Sequence, residues 1–458
     1  MTGPVRGVDS AADDFVARRR ATMPAAEADR GWQPTRALVR AAVVIGLASA
    51  LGVLLGRVDL VIIALPFIIG TALALRSRPK AVPTVSLALS SDVGAEGGEL
   101  LAGLRVTNRD ELPLSTVVLR AGFSPWITLN EGHGTYAATV GGKAGTSVTI
   151  SGRTLRWGSH AVGPLRADAF ACDNLFHCET ASAPGQRLRT YPISDPFDAD
   201  EAMPRASGLG GTHRSRRPGE GGELAGVRPY QPGDRLRRID WRVSLRARGL
   251  YVNHTLSDRD ADVVLLLDLG TDAGESGGVD GQPSVLDTTV RATAAIAEHY
   301  LHRGDRVSCV EFGPRVRRLR AGTGRRHYLS VLEWLLGVRV ADGITREARL
   351  LRTGGLPTNA LIVMFTPLLD ENSVSALAGL ARSGRFLVAV DTLPAHVRPV
   401  HDSPWTPASE RLWRLERENA VGELREHGVP VVAWSGTGSL DQVLRDVTRM
   451  SGAAKAVI

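Results

Sequence analysis

Two uninterrupted apolar runs dominate the first fifth of the chain. Leu38 to Leu55 is broken only by Arg40 and Ser49, and Leu60 to Leu75 contains Pro66 and no charge. Each run is slightly short of the ~20 residues that cross a ~30 Å hydrocarbon core. The long stem of Arg40 lets its charge reach the interface and extends the first run. The pair predicts two transmembrane helices over residues 37–77, with Arg57 and Asp59 at the turn. Arg30, Arg36 and Arg40 precede the pair, and Arg76, Arg78 and Lys80 follow it, with no acid until Asp92. Positive charge on both flanks places both termini in the cytoplasm, on a two-span protein of the inner (plasma) membrane. A cleaved signal peptide does not fit, because the apolar stretch is double and begins late. A helical hairpin buried in a soluble core is the competing reading, and runs this pure in Leu, Ile, Val and Ala argue against it. Residues 1–36 are polar, with Arg18, Arg19 and Arg20 among acids and Pro24 breaking any helix; they read as a flexible cytoplasmic tail.

From residue 83 the pattern becomes period two. Val85, Leu87 and Leu89 alternate with Ser86, Ala88 and Ser90, and Leu104–Thr107 and Val148–Ile150 alternate likewise. Gly97-Gly98, Asn108-Arg109-Asp110, Gly132-His133-Gly134 and Gly141-Gly142 punctuate the segments. Short strands separated by turn signals predict an Ig-like β-sandwich over 83–197. Cys172 and Cys178 flank His177, but this spacing without a second ligand pair is a poor zinc pattern. Residues 198–222 are rich in Gly, Arg and Ser and read as a linker or loop.

The remaining pattern alternates strands and helices. Ala261–Leu269 is a nearly continuous apolar run ending at Asp268, as expected of a central parallel strand covered on both faces. Leu286, Val290, Ala294, Ala297 and Leu301 recur at helical spacing. Further strands are expected at Val307–Phe312, Val316–Leu319 (an antiparallel edge), Ala360–Phe365, Phe386–Val390 and Val429–Trp434. Helices are expected around Tyr328–Leu335, Val374–Leu380 and Trp405–Glu426, with a last one at Leu440–Val447. Such alternation predicts a doubly wound α/β domain within 223–452.

Composition narrows the function classes. The 458 residues hold Lys+Arg 55 against Asp+Glu 48, a formal charge of +7. All the basic residues except Lys80, Lys143 and Lys455 are arginine. Three cysteines (Cys172, Cys178, Cys309) exclude a disulfide scaffold. No Gly-x-x-x-x-Gly-Lys-Ser/Thr loop and no Gly-x-Ser-x-Gly elbow occurs, so neither a nucleotide-hydrolysing loop nor a serine-hydrolase nucleophile is indicated.

The densest information lies at 219–256. Gln231-Pro232-Gly233-Asp234 is a tight turn. Asp234 and Asp240 lie among Arg228, Arg235, Arg237, Arg238 and Arg242, where bidentate carboxylate–guanidinium pairs are expected. Trp241 is expected to anchor the segment in a pocket. Between Arg205 and Arg248 eleven arginines face four acids. That balance suits an internally paired clasp better than a bare phosphate-binding surface. The run Arg228-x-Tyr230-x-Pro232-Gly233-Asp234-x-x-Arg237-Arg238-Ile239-Asp240-Trp241 closely resembles the signature of the domain-of-unknown-function 58 family. Asp173-Asn174-Leu175-Phe176, followed by Tyr191-Pro192, also resembles that family's turn and strand end. The resemblance implies a membrane-tethered bacterial protein with a von Willebrand factor type A-like domain, partnered by a MoxR-type AAA+ ATPase. It marks Arg228, Tyr230, Gly233, Asp234, Arg238, Asp240 and Trp241 as motif or interaction residues.

The metal site of the von Willebrand A-like fold begins Asp-x-Ser-x-Ser and suits Mg²⁺, which takes near-octahedral oxygen ligands. Here the run is Asp268-Leu269-Gly270-Thr271-Asp272, and Pro367 stands where a later aspartate is expected. Asp268, Asp272, Thr323 and Asp370 are the remaining candidate ligands of a degenerate site. The expectation is therefore a non-enzymatic, membrane-anchored protein-interaction and assembly module without a cofactor, Mg²⁺ being the ion such a site would take. Its partners are the bilayer and a MoxR-type ATPase, with no specific nucleic acid, acting in envelope or protein-maturation processes. The alternatives are a metal-dependent hydrolase at Asp268, Asp272 and Asp370, and a binder of anionic lipid or nucleic acid through the 205–248 arginines.

Overall fold

The computed structural model describes residues 31–193, 218–231, 239–256, 262–313, 317–340, 356–357, 360–397 and 403–434. The chain divides into two compact units, residues 1–191 and 192–458. The tail before residue 31, most of the 198–222 linker and the helix expected at Leu440–Val447 lie outside the described residues.

In the first unit a short strand β1 (Gln33–Pro34) leads into α1 (Arg36–Leu54) and α2 (Val58–Arg76). Both helices are long and apolar enough to cross a membrane. Only Leu38 and Gly52 of α1, and Ala64 and Ala74 of α2, are buried. Val53 and Leu54 are each 82% exposed. Helices apolar on every side, yet uncovered by protein, have no face suited to water. The turn between them passes through Gly56 at φ 60°, a left-handed conformation that costs glycine little. Gly52 lets the helices meet: a Cβ there would lie 2.9 Å from Val61 Cγ2 and 3.1 Å from the Arg57 carbonyl oxygen.

The sandwich follows as β2 (Thr84–Leu89), β3 (Val93–Ala95), β4 (Glu99–Thr107), β5 (Leu114–Phe123), β6 (Ile127–Leu129), β7 (Thr135–Val140), β8 (Gly145–Thr154), β9 (Gly158–Ala171), β10 (Phe176–Ala183) and β11 (Gln186–Tyr191). One sheet has the order β2-β4-β8-β6; the other has β1-β10-β9-β11-β3, with β5 on β9 and β7 on β5. All pairings are antiparallel except β11 with β3. Inward-facing positions of both sheets form one core, from Leu87, Leu104 and Ile150 to Val117, Leu165 and Leu188.

The hairpin is fastened to this sandwich at its open end. Gln33 pairs with His177 in strand register. The Thr35 N–H and hydroxyl both donate to the Leu175 carbonyl, at 2.9 and 3.1 Å. The buried Trp32 donates its indole N–H to the Ala81 carbonyl at 2.9 Å. Arg78 donates to the Trp32 carbonyl at 2.8 Å and lies 5.7 Å over the Phe176 ring. The receiving turn places Cys172, Asp173 and Asn174 at positive φ, which aims Leu175 and Phe176 at the hairpin. The Cys172 thiol donates to the Ser77 carbonyl at 3.1 Å. The two thiols of this region are thus packing groups, and burial pushes both Cys172 and Cys178 up from the usual thiol range.

In the second unit β12 (Pro218–Pro229) pairs antiparallel with β13 (Tyr251–Leu256), and a short α3 (Trp241–Ala247) lies between them in sequence. The end of the expected 198–222 loop is therefore strand. The sheet proper comprises β14 (Asp262–Asp268), β15 (Arg306–Phe312), β16 (Arg318–Gly322), β17 (Leu361–Thr366), β18 (Phe386–Asp391) and β19 (Val431–Ala433). Its order is β16-β15-β14-β17-β18-β19, parallel except for the edge strand β16. The helices are α4 (Val285–His302), α5 (Gly324–Leu335), α6 (Glu371–Arg382) and α7 (Thr406–Glu426). Chain order reverses between β14 and β17, the switch point of a doubly wound sheet. Val264 and Leu266 pack with Val374, Leu377 and Leu380 of α6 and Leu424 of α7. Val263, Leu265 and Leu267 face the other side by strand alternation. There α4, buried along nearly its whole length, packs on β14, β15 and β17.

The Trp32 clamp yields a graded expectation. Trp32→Ala should lower stability of the full chain by about 3–5 kcal/mol, the range for deleting a buried aromatic. Trp32→Phe, which loses only the indole donor, should cost about 1 kcal/mol. Denaturant midpoints in detergent check the order; equal effects would show that the hydrogen bond alone matters.

Candidate functional site

The residues between β14 and β17 form a crevice at the carboxyl ends of the central strands, where ligands of open α/β sheets gather. Asp268 ends β14 there and is only 3% exposed. Such a carboxylate requires donors, and it has three. Its Oδ2 accepts from Thr366 Oγ1 at 2.7 Å and from Ser373 Oγ at 2.6 Å, while its Oδ1 accepts from the Gly270 N–H at 3.1 Å. Thr366 ends β17 and Ser373 lies in the first turn of α6. Thr366 Oγ1 in turn accepts from the Leu368 N–H at 3.1 Å, and Leu368 holds a left-handed φ of 54°.

Asp370 joins this corner from the start of α6. Its Oδ1 caps the helix, accepting from the Asn372 N–H at 3.1 Å and from Asn372 Nδ2 at 2.9 Å. Its other oxygen faces Gly270: a Cβ on Gly270 would lie 3.8 Å from Asp370 Oδ2 and 3.4 Å from Asp268 Oδ1. Burial pushes the Asp268 carboxyl above its ordinary value, and the Asp370 charge adds to the push. Ser373, Thr366 and Gly270 pull in the opposite direction without cancelling it.

The other two candidate ligands lie elsewhere. Asp272 is exposed, and its Oδ1 accepts from the Leu286 N–H at 3.0 Å, at the start of α4. Thr323 follows β16, whose Gly322 pairs with Val307 at the beginning of β15, whereas Asp268 pairs with Phe312 at its end. Thr323 therefore stands at the opposite end of the sheet, because the edge strand runs antiparallel. The expected four-ligand set is not assembled. The two hydroxyls on Asp268 come instead from Thr366 and Ser373, and neither oxygen of Asp268 is left without a donor. Among the described residues no group of three or more His, Cys, Asp or Glu could hold a metal ion.

Beside it opens a groove of about 630 Å³ between the Leu368–Glu371 turn and α7, lined by Leu368, Asp370, Glu371, Val374, Trp413 and Glu416 among others. Arg417 closes its inner edge through an ion pair with Asp391 at the end of β18 and a 3.4 Å bond from its Nε to the Pro367 carbonyl. The groove offers apolar walls with carboxylates on the rim, and Ser375 also lines it.

Within the signature segment Trp241 departs from expectation, whereas Arg235, Arg237 and most other expected ion-pair partners lie outside the described residues. The Asp240 Oδ1 caps α3, accepting from the Arg242 and Val243 N–H groups at 3.0 and 3.1 Å. Trp241 is 63% exposed rather than anchored. The helix is held instead by Ser244, whose hydroxyl accepts from the Tyr251 N–H at 2.9 Å and donates to its carbonyl at 3.3 Å. Arg228 donates to the Pro229 carbonyl at 3.1 Å, and the Tyr230 N–H to the Leu250 carbonyl at 2.9 Å. Gly233, Asp234 and Arg238 lie outside the described residues.

Asp268 gives a pH test with a defined sign. Its folded value lies above the ordinary 3.8, so folding favours the protonated acid. Its contribution is fully present below the unfolded value and is lost as pH rises through the folded one. Asp268→Asn cannot titrate. The stability of wild type relative to Asp268→Asn should therefore be greatest in acid and fall as pH rises; a difference that grows with pH would show that the donors outweigh burial. Ser373→Ala should cost about 1–3 kcal/mol, as for a buried acceptor deprived of its donor, read from denaturant midpoints.

Several solved β-rich structures are weakly similar to the chain. The cupredoxin domain of amoB from Nitrosocaldus yellowstonii gives a TM-score of 0.17 at 9% identity, over 26% of this chain and 94% of that one. A cohesin module from a Clostridium perfringens glycoside hydrolase gives 0.19 at 11%, over 24% and 96%. Among curated relatives, uncharacterized proteins of Mycobacterium tuberculosis and Mycobacterium bovis are each 34% identical over 128 residues. Those alignments cover 27% of this chain and 38% of each relative. Residues 226–392, which hold α3, the switch point and the Asp268 corner, match the family model described as Protein of unknown function DUF58, and the resemblance read between Arg228 and Trp241 is thereby borne out.

Proposed function

We propose that the chain is a membrane-anchored, non-enzymatic interaction module. The helices α1 and α2 tether it, with both termini on the cytoplasmic side. The β-sandwich and a von Willebrand A-like α/β domain form its working portion. A sheet order with one antiparallel edge and a switch point between β14 and β17 supports the von Willebrand A-like reading. The observation that carries the non-enzymatic reading is the state of Asp268. The buried carboxylate at the end of β14 is already met by Thr366, Ser373 and Gly270. A hydrolase would need Asp272 beside it with room for a water, and Asp272 is exposed at α4. The partner face is the rim around Asp370, Glu371, Trp413 and Glu416. Its mix of an aromatic ring, aliphatic walls and carboxylates suits a protein surface with apolar and basic side chains. The family resemblance supplies the partner, a MoxR-type AAA+ ATPase, and the setting, assembly or maturation of proteins at the envelope.

Affinity purification of the full chain from native membranes tests this. The ATPase should co-purify, and chelator should not release it. Glu371→Arg combined with Glu416→Arg should reduce its retention about tenfold, as expected when like charges are brought into an interface, without moving the unfolding midpoint. Release by chelator, or hydrolytic turnover by the purified chain, would contradict the proposal.

A further inference from the structure

The two ends of the α1–α2 hairpin treat charge differently. At the turn, Arg57 Nε lies 3.4 Å from Asp59 Oδ2, so opposite charges meet within the protein. At the open end, Arg36 and Arg40 stand one helical turn apart on α1, Arg76 closes α2 and Lys80 follows. All four are exposed, and none makes an ion pair with a described residue. From Gly31 to Ser91 the only acid is Asp59, at the far end. The carboxylate bonded to this stretch, Asp110, is taken up by backbone donors: its Oδ2 accepts from the Lys80 and Ala81 N–H groups at 2.6 and 2.9 Å, and its Oδ1 from the Leu112 N–H at 3.2 Å. Asp173 in the turn beside Ser77 adds one further negative charge, and Arg78 one further positive charge, already placed over Phe176.

The backbone that carries these cations is held to the sandwich. Trp32, Thr35, Ser77 and Arg78 are each bonded to the sandwich or to one another, so the open end cannot splay. Immediately beyond the collar begins uncovered apolar helix, with Val39, Val43, Leu73 and Leu75 about half exposed or more. Guanidinium and ammonium groups within about one helical turn of the open end, next to apolar helix surface that acyl chains can cover, match the two ends of a phospholipid.

We infer that Arg36, Arg40, Arg76 and Lys80 form a binding collar for anionic phospholipid headgroups. The inference rests on the membrane reading of α1 and α2. A lipid, rather than free phosphate, is the ligand because the cations adjoin exposed acyl-compatible surface. Bound headgroups would neutralise the collar and favour the hairpin–sandwich junction, making that junction sensitive to lipid composition.

The test uses the full chain in nanodiscs of phosphatidylcholine mixed with phosphatidylglycerol, extracted gently and analysed by native mass spectrometry. Phosphatidylglycerol should be retained over phosphatidylcholine by about tenfold relative to its abundance, consistent with several juxtamembrane cations acting together. The combined variant Arg36→Gln, Arg40→Gln, Arg76→Gln, Lys80→Gln should lose that preference. High salt should erode it in the unchanged chain, which keeps the test valid if the variant does not insert. No preference, a preference unaltered by the variant, or displacement of the lipid by equimolar inorganic phosphate would overturn the inference. A chain that fails to enter nanodiscs at all would instead overturn the membrane reading beneath it.

Discussion

A carboxylate enclosed at the end of a central strand is the constraint around which the second unit is arranged. Asp268 cannot be buried without donors. The donors it has come from two other elements, Thr366 at the end of β17 and Ser373 in α6, with the Gly270 N–H completing the set. These bonds tie together the two strands at which the sheet reverses its winding order. They also fix the start of α6, because Asp370 caps the same helix and so is brought near Gly270. Leu368, in a left-handed conformation on the same turn, lines the groove beside α7. One polar knot thus joins β14, β17 and α6 at the crevice.

Much of the fold was legible because its patterns are unambiguous. Continuous apolar runs forecast β14 and β17, helical spacing forecast α4, and period two forecast the sandwich strands. Even the antiparallel edge strand was foreseen, although it begins at Arg318 rather than Val316. By contrast β12 was hidden, since Gly-Glu-Gly-Gly carries no alternation and its pairing with β13 is a tertiary event. The hydroxyls on Asp268 were hidden for a similar reason. Thr366 and Ser373 lie 98 and 105 residues away in sequence, and only the switch in strand order brings them close. The short spacing between Asp268 and Asp272 likewise does not reveal that Asp272 accepts from the Leu286 N–H at the start of α4.

The signature segment teaches a related lesson. Alternating acids and arginines suggest an ion-paired clasp whose members between 232 and 238 lie outside the described residues, while Asp240 serves the backbone N–H groups at the start of α3. A cap needs its carboxylate at one position relative to the helix, whereas surface ion pairs contribute little. The exposed Trp241 then belongs to the surface of the segment and not to its interior. In the first unit the corresponding element is the junction of Trp32, Thr35 and Arg78 with the 172–177 turn, which joins two apolar helices to a β-sandwich as one body.

The proposed function rests on Asp268 being satisfied by protein donors, and on that proposal it recruits no metal. The most direct measurement is the metal content of the purified full chain after equilibration with Mg²⁺ or Mn²⁺, compared with Asp268→Asn. The account predicts no stoichiometric ion in either protein; one ion per chain, lost in Asp268→Asn, would contradict it.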